Sequence, residues 1–434
     1  MKYPRLTLIA AGILTACSSN AWAVKIDYTI DTGVEENSNI AFSHLDPISQ
    51  RYLRAGLGFA VTEDTSTLQV NLTGRTEYRN YRTDIFDDTL DGALSGRVNW
   101  IAIPDRLSFS VEDSLSVEPV DALVPNGPGN RQQINVISLG PNLMFNWSPT
   151  WRGRAELRYI NSNAEVSDIF NADHVALTLI GSRNLSASSV LSILGQARNV
   201  NFDDGIEARD YRRYDLIARY TRDLNHLAYS VDAGYSRIDY HQDAGRSDPL
   251  LRAQLNWKMT PRSTMTTTVS REFSDTSSDL LRNIAMAVPV SAPESLVTGG
   301  AIINASPYVV RSVGLDYEYN ATRLRLSAGF LGQKRKYDDA SLLFDQKGDS
   351  TYLGIGWTIR PSLTLDAHVD YEKLKYMSME REDKTLRRGA TLRYRMSQNW
   401  DAGLSWDRFK RDSTDPGQVV AQNVVYLSIS YHNR

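Results

Sequence analysis

The chain has 434 residues, a formal net charge of −3 and a mean hydropathy of −0.37. No stretch approaches the roughly 18 to 20 consecutive apolar residues that a membrane-spanning helix needs, which argues against a helical membrane protein. The 22 Tyr and 8 Trp residues could supply aromatic belts at a membrane interface, although large soluble β-proteins are also rich in Tyr.

The N-terminus has the pattern of an export signal. Lys2 and Arg5 precede an apolar run at 6–16, and Ala21-Trp-Ala23 has the small-x-small form of a signal peptidase site. We therefore expect residues 1–23 to be a cleaved signal peptide. Its removal takes away two of the 48 basic residues, so 46 remain against 51 acidic ones, a net charge of −5.

Cys17 is the only cysteine and would be lost with the signal, so disulfides and cysteine metal sites are not expected. An alternative is that Leu14-Thr-Ala-Cys17 is a lipoprotein cleavage box. Lipid on Cys17 would tether the N-terminus without changing the fold. The ordinary signal is favoured because the strand pattern begins at Lys25, directly after the Ala23 site.

From Lys25 onward, apolar and polar residues alternate in runs of about ten residues. The clearest pair is 353–359 and 363–371, joined by the turn Arg360-Pro-Ser362. Soluble strands usually have about five or six residues. Longer strands with one apolar face and one charged face are typical of a membrane-spanning barrel.

Nine short turns recur along the chain and alternate with longer polar connections. With a first strand near Lys25–Val34 and a last near Asn423–His432, they predict twenty strands, or eighteen if an end strand does not pair. We therefore expect residues 24–434 to form an all-β, antiparallel up-and-down transmembrane barrel with short periplasmic turns and longer extracellular loops. The turns are 64–67, 104–106, 148–150, 186–188, 223–225, 260–262, 320–322, 360–362 and 397–399.

Six tryptophans lie within about four residues of a turn, which predicts an aromatic girdle at one membrane boundary. They are Trp100, Trp147, Trp151, Trp257, Trp357 and Trp400. The alternating stripe Val425, Leu427, Ile429 and Tyr431 resembles the C-terminal signal for outer-membrane assembly, except that three residues follow the last aromatic one. The barrel assembly machinery and outer-membrane lipid are therefore expected partners.

The polar strand faces carry many charges of both signs. A barrel of about twenty strands is too wide for side chains to fill, so we expect a wet lumen. Cross-strand pairing that only solvates the wall is the alternative for any single residue, and mixed signs argue against a channel for one ion type. The candidate pore-lining residues are Arg75, Glu77, Arg154, Glu156, Arg158, Arg252, Asp366, His368, Asp370, Glu372, Arg393 and Arg395.

The longest connection, 279–307, is unusually apolar and contains three prolines. Functional loops are the usual reason for such length. The sequence leaves three positions open for this connection. It could fold into the lumen as a constriction, lie across the mouth as a lid, or pack as an extracellular cap.

Signals for catalysis are poor. The six His residues form no HExxH pair, and neither a Gly-x-Ser-x-Gly motif nor a P-loop occurs. Asp366-x-His368-x-Asp370 could bind a divalent cation, but such a row is more often a wetted wall. We expect no enzyme activity, no cofactor, no metal site and no nucleic-acid partner.

On these hairpins, the chain resembles the "barrel porin 2" group of outer-membrane β-barrel porins found with exopolysaccharide, capsule or exosortase gene clusters. The resemblance covers essentially the whole mature chain and includes a strand directly after the signal and the segment Glu36-Asn-Ser-Asn-Ile40. It implies a role in polysaccharide export with periplasmic and inner-membrane secretion components.

Three functions remain open from the sequence. The first is a transport barrel serving exopolysaccharide or capsular polysaccharide export. The candidate aromatic side chains facing its lumen are Tyr81, Tyr352 and Tyr426. The second is a general diffusion porin for small hydrophilic solutes. The third is a non-transport barrel, either a surface enzyme or a structural anchor.

Overall fold

The computed structural model describes residues 24–433 except 83–84, 125–126, 204, 206–208, 242–243, 284–301 and 339–343. The expected signal peptide, with Cys17, lies outside the described residues. So does most of the apolar connection, of which 279–283 and 302–307 are described.

Twenty antiparallel strands form a single closed sheet, each hydrogen-bonded to its two neighbours in chain order. The strands are β1 (Lys25–Asn37), β2 (Gln50–Asp64), β3 (Leu68–Asn80), β4 (Thr89–Ile103), β5 (Leu107–Glu118), β6 (Gln132–Asn146), β7 (Trp151–Ala164), β8 (Ala172–Ser186), β9 (Ser189–Phe202), β10 (Tyr211–Asp223), β11 (Leu227–Tyr240), β12 (Arg246–Thr260), β13 (Ser263–Ser274), β14 (Tyr308–Asn320), β15 (Leu324–Tyr337), β16 (Gln346–Arg360), β17 (Leu363–Tyr376), β18 (Arg381–Arg395), β19 (Trp400–Ser413) and β20 (Val420–Asn433).

The first and last strands close the barrel. They pair from Tyr28↔Asn433 to Asn37↔Val424, so the predicted count of twenty is confirmed and eighteen is not. All nine predicted turns lie between the strands that they were expected to join. Lys25, where β1 begins, and Asn433, where β20 ends, both lie on the turn side, as the pattern indicated.

The strands are longer than the sequence pattern suggested. They have 12 to 15 residues, whereas the alternation predicted about ten. The extra residues lie mainly at the loop side, where polar side chains replace the apolar ones on the outer face. In β17, for example, Val369 and Tyr371 are followed on the outer face by Lys373 and Lys375.

The outer face is apolar over most of the strand length. Exposed side chains such as Leu216, Leu353 and Leu427 alternate with inward polar ones, as a lipid-facing surface requires. All six tryptophans expected at the turn end are exposed there, and the Trp400 and Tyr431 ring centres lie 5.3 Å apart. An aromatic girdle at the turn side is therefore present.

One α-helix and two short 3₁₀ turns interrupt the all-β pattern in the described residues. The helix α1 (Thr276–Asn283) follows β13 directly, and the 3₁₀ turns are Asp168–Phe170 and Pro416–Gln418. Asp275 caps α1, because its carboxylate accepts a hydrogen bond of 2.8 Å from the amide of Ser278.

Candidate functional site

A cavity of about 920 Å³ runs along the lumen from the loops to the turns. Phe42 and Pro128 line it at the loop side, and Asn320 and Arg325 line it near the turns. Its remaining lining comes mostly from the inner faces of β14–β20 and β1–β3. A wet path therefore follows one side of the barrel.

Small residues keep this side of the lumen wide. We call the inner face of β15–β19 the open wall; Gly354, Gly356, Gly403 and Ser405 lie on it and line the cavity. A Cβ at Gly389 on β18 would meet the Asp407 carboxylate, so a larger residue there would have to displace that side chain. These positions leave room for polar side chains to project into the cavity.

The other side of the lumen is covered by α1 and its neighbours. Leu280 of α1 and Ile303 pack with Ile134 and Val136, which are fully buried on the inner face of β6. Ile160 on β7 and Phe170 complete the same apolar cluster. The described ends of the long connection therefore pack against the inner wall at the loop side, whereas 284–301 lie outside the described residues and the three positions expected for the connection stay predictions.

Ion pairs and hydrogen bonds hold α1 to the wall. Arg282 Nη1 lies 3.0 Å from Glu272 Oε1 on β13, and Arg198 Nη1 on β9 donates to Ser278 Oγ at 2.7 Å. Arg198 also pairs with Asp275 at 3.4 Å. We call α1, with these contacts and the Leu280 cluster, the plug.

The charge of Asp275 depends on this wall. Burial would raise the pKa of its carboxyl, but the Arg198 guanidinium, His174 and hydrogen bonds from Ser278 more than offset burial and hold the pKa below its ordinary value. The carboxylate is thus kept charged, which maintains its ion pair with Arg198 and its cap on α1.

Eight charged residues near the closure of the barrel form what we call the buried network. They are the carboxylates of Asp31, Glu35, Glu77 and Asp91 and the guanidiniums of Arg54, Arg75, Arg79 and Arg131. Arg75 binds Asp31 in a two-pronged contact of 2.7 and 2.9 Å, and Arg54 binds Glu35 at 2.6 Å. Four charges of each sign give a neutral set.

Two predicted pore residues, Arg75 and Glu77, belong to this network and are buried. The side chain of Glu77 is 0% exposed and that of Arg75 is 2% exposed. Both lie on the inner strand face, as expected, but their neighbours cover them. Glu77 contacts three arginines, Arg54, Arg75 and Arg79, so its charge is fully compensated.

On the open wall, the predicted residues Asp366, His368, Asp370 and Arg393 line the cavity together. The side chains of His368 and Asp370 are each 46% exposed. His368 Nε2 lies 3.6 Å from Asp407 Oδ1 and 3.8 Å from Asp370 Oδ2, which are loose contacts. These groups can exchange partners with a hydrophilic solute.

The other predicted pore residues also lie on the inner face but do not line this cavity. Arg154 and Arg158 flank Glu156 on β7, at 2.7 and 3.7 Å. Arg252 lies 2.6 Å from Glu272, the carboxylate that also holds α1. Glu372 is exposed on β17, and Arg395 lies near the turn side, 3.9 Å from Asp401.

Sequence reasoning missed an aromatic pair at the loop side of the cavity. Phe409 projects from the polar face of β19 and meets Phe42 at 5.5 Å, edge to face. The guanidiniums of Arg387 and Arg411 lie 5.5 and 5.7 Å from the Phe409 ring centre. The sequence does contain a signal for this pair: an aromatic residue stands at a strand position that the alternation assigns to the polar face.

Phe42 has an unusual backbone conformation. Its φ is 51°, in the left-handed region that bulky residues rarely adopt. Asn39, which is 2% exposed, holds the loop by donating to the carbonyls of Ser43 and Ala421. A strained backbone held by its surroundings often marks a functional contact.

The candidate inward tyrosines differ in their environments. Tyr81 and Tyr426 line the cavity, and Arg54 stacks on the Tyr426 ring at 3.5 Å. Tyr352 donates a hydrogen bond of 3.0 Å to Asp316. Within the described ranges, no group of three His, Cys, Asp or Glu is arranged to hold a metal ion. No helix among the described residues is long and apolar enough to cross a membrane.

Residues 349–433, which comprise most of β16 and all of β17–β20, match the family model described as "Putative beta-barrel porin 2". The resemblance to barrel porins of this type is therefore confirmed over these strands. The likeness to porins is thus carried by the last strands, and the described residues as a whole form a closed 20-stranded β-barrel. No curated protein sequence matches the chain.

Solved structures with a similar barrel include the FrpB iron transporter of Neisseria meningitidis (F5-1 variant; 8% identity, TM-score 0.49), covering 94% of this chain and 82% of that one. The siderophore receptor PirA of Acinetobacter baumannii has 9% identity and a TM-score of 0.48, covering 96% and 81%. OccK1 (OpdK) of Pseudomonas aeruginosa has 8% identity and a TM-score of 0.40, covering 95% and 100%. Likeness at this level says nothing about what crosses the barrel.

Proposed function

We propose that this barrel serves the export of an exopolysaccharide or capsular polysaccharide across the outer membrane. The observation that carries the proposal is the cavity along the open wall, which joins the loop side to the turn side. A hydroxyl-rich polymer needs a continuous wet path with hydrogen-bonding groups, and such a path is lined here by glycine, serine and charged side chains.

The chemistry of the open wall supports a sugar-containing cargo. Asp366, Asp370 and Asp407 can accept hydrogen bonds from sugar hydroxyls, and Arg387 and Arg393 can donate to ring and carboxylate oxygens. The strands that build this wall fall largely within the segment that matches the porin family, 349–433. The polymer would enter from periplasmic export components at the turn side.

A second function is favoured by one observation. The plug narrows the lumen, and an inward-folded segment of this kind would suit a general diffusion porin for small hydrophilic solutes. The two functions differ in what the open path admits. A diffusion porin would conduct ions steadily and would not be blocked by long oligosaccharides.

The direct test is deletion of the gene in its native host, followed by measurement of secreted and surface polysaccharide. We expect polymer to be lost from the surface and to be restored by the wild-type chain. Complementation with a variant that narrows the path, Gly354→Phe with Gly356→Phe, should not restore it, whereas the exposed loop change Val166→Phe should. Unchanged surface polysaccharide in the deletion strain would refute export.

We also propose that residues 1–23 are cleaved as a signal peptide, so that the mature chain begins at Val24. Intact-mass measurement of the purified barrel checks this directly. A mass that retains lipid on Cys17 would instead establish the lipoprotein alternative.

A further inference from the structure

The outer face of β14–β17 carries a row of basic side chains at the loop side. Arg311 on β14 lies directly opposite Lys334 on β15, Lys334 opposite Lys347 on β16, and Lys347 opposite Lys375 on β17. All four are exposed. We call these four residues the basic row.

Like charges placed directly opposite each other on neighbouring strands repel and destabilise the sheet. Four in succession have no intervening carboxylate, and none of the described carboxylates lies within 4.0 Å of any of them. An anionic group bound across the row would remove this repulsion. The basic row therefore favours an anionic partner that the described chain itself does not provide.

The surroundings of the basic row are also basic. Lys336, Lys373, Lys384, Lys410 and the directly opposed pair Arg388 and Arg408 share the outer strand face of β15–β19. The carboxylates on the same face are Asp349, Glu382 and Asp412. Glu382 is already shared by Lys373 and Lys384 at 3.2 and 3.3 Å, and Asp412 lies 2.8 Å from Lys410.

The outer face elsewhere at the loop side is balanced. Arg51 on β2 pairs with Glu36 at 2.6 Å, and Arg237 on β11 pairs with Asp239 at 2.8 Å. Arg212 on β10 lies directly opposite Asp239. Among the described residues, the unbalanced positive charge therefore lies on one side of the barrel.

The position of the row relative to the apolar surface identifies the kind of anion. On the same strands, the lipid-facing residues Val313, Phe330 and Tyr371 are exposed a few residues nearer the turns. The row therefore stands just beyond the apolar band, at the level where lipid phosphates meet water. A ligand with acyl chains and phosphates would contact both surfaces at once.

We propose that the basic row, on the outer face of β14–β17, is a binding site for the phosphates of an anionic lipid headgroup in the outer leaflet. The acyl chains of that lipid cover the apolar residues below the row. The site lies outside the lumen and does not depend on what the barrel transports.

The test compares two triple variants of the full barrel, purified in detergent and checked for folding by heat-modifiable migration. K334Q/K347Q/K375Q removes three charges of the row, and R51Q/R212Q/R237Q removes three charges from the balanced side. The probe is lipid A with both phosphates, measured by native mass spectrometry and by titration. Dephosphorylated lipid A and inorganic phosphate are the comparison ligands.

We expect diphosphorylated lipid A to bind the row variant about tenfold or more weakly than the wild type, because each basic residue near an anionic lipid surface adds to binding. The balanced-side variant should bind nearly as the wild type does. Dephosphorylated lipid A should bind the wild type and both variants alike and weakly.

Three results would overturn the proposal. The row variant could bind diphosphorylated lipid A as tightly as the wild type does. The two triple variants could lose affinity equally, which would indicate a general charge effect. Inorganic phosphate could bind the wild type as tightly as lipid A does, which would make the row a site for free anions.

Discussion

The buried network and the open wall are built from the same residue types in the same alternating pattern, yet their charged side chains differ in how much water reaches them. In the network, Glu77 is enclosed by arginines and has no exposed surface. On the open wall, His368 and Asp370 have nearly half of their side-chain surface exposed and only loose ion contacts. The difference shows that alternation assigns a residue to the inner face, whereas neighbouring side chains decide whether it meets water.

The difference in burial between the two regions is tested most directly by removing one charge from each of them. Glu77→Ala leaves three arginines without their shared carboxylate and should lower the free energy of unfolding by about 3–5 kcal/mol. Glu372→Ala on the exposed part of β17 should change it by less than about 0.5 kcal/mol. Urea unfolding in detergent, followed by tryptophan fluorescence, measures both. Equal losses would show that the two regions do not differ in burial.

The plug extends the comparison to the covered side of the lumen. Leu280→Asp places a charge against Ile134 and Val136, which costs several kcal/mol and should release α1 from the wall. We expect a larger single-channel conductance in planar bilayers. Val166→Asp, at an exposed loop position, is the control and should conduct as the wild type does.

Ion selectivity sharpens the contrast between the two regions. Asp366→Asn with Asp370→Asn removes two exposed carboxylates from the cavity and should shift the reversal potential toward anion selectivity. Glu77→Gln alters a residue sealed from the solution and should leave the reversal potential unchanged. A shift of the same size in both variants would place Glu77 in the conducting path.

The smallest effect is expected from acid. Because the pKa of Asp275 lies below its ordinary value, its contribution to holding α1 is present at neutral pH and is lost as pH falls through that depressed pKa. Conductance should therefore rise modestly below the usual carboxyl range. Asp275→Asn should abolish this acid response, and an unchanged response in that variant would contradict the role of Asp275.

Much of the fold could be predicted from the sequence because strand alternation and turn chemistry are local. Turns such as Arg360-Pro-Ser362 identified all nine connections at the turn side, and the two end strands completed the count of twenty. Strand length was underestimated because polar residues such as Lys373 and Lys375 continue the strands beyond the apolar band.

The site was less predictable, because it depends on contacts between distant segments. The helix α1 has only two apolar residues, Leu280 and Leu281, and its position follows from a pocket formed by β6 and β7. Phe42 meets Phe409 only because loop 38–49 folds over the mouth. The porin resemblance was predicted and is confirmed over 349–433, whereas polysaccharide export stays a proposal.

The closing pair of strands has a consequence for how the molecule folds. Thr29 and His432 meet through a hydrogen bond of 2.9 Å although 403 positions separate them, so closure joins the first strand of the sequence to the last. Contacts of such high sequence separation form late and slowly. Arg54 reaches the Tyr426 ring only after closure, so part of the charge network stays hydrated until then. Dehydration of these charges would therefore accompany the last step of assembly, and a chain lacking β20 should stall as an open sheet.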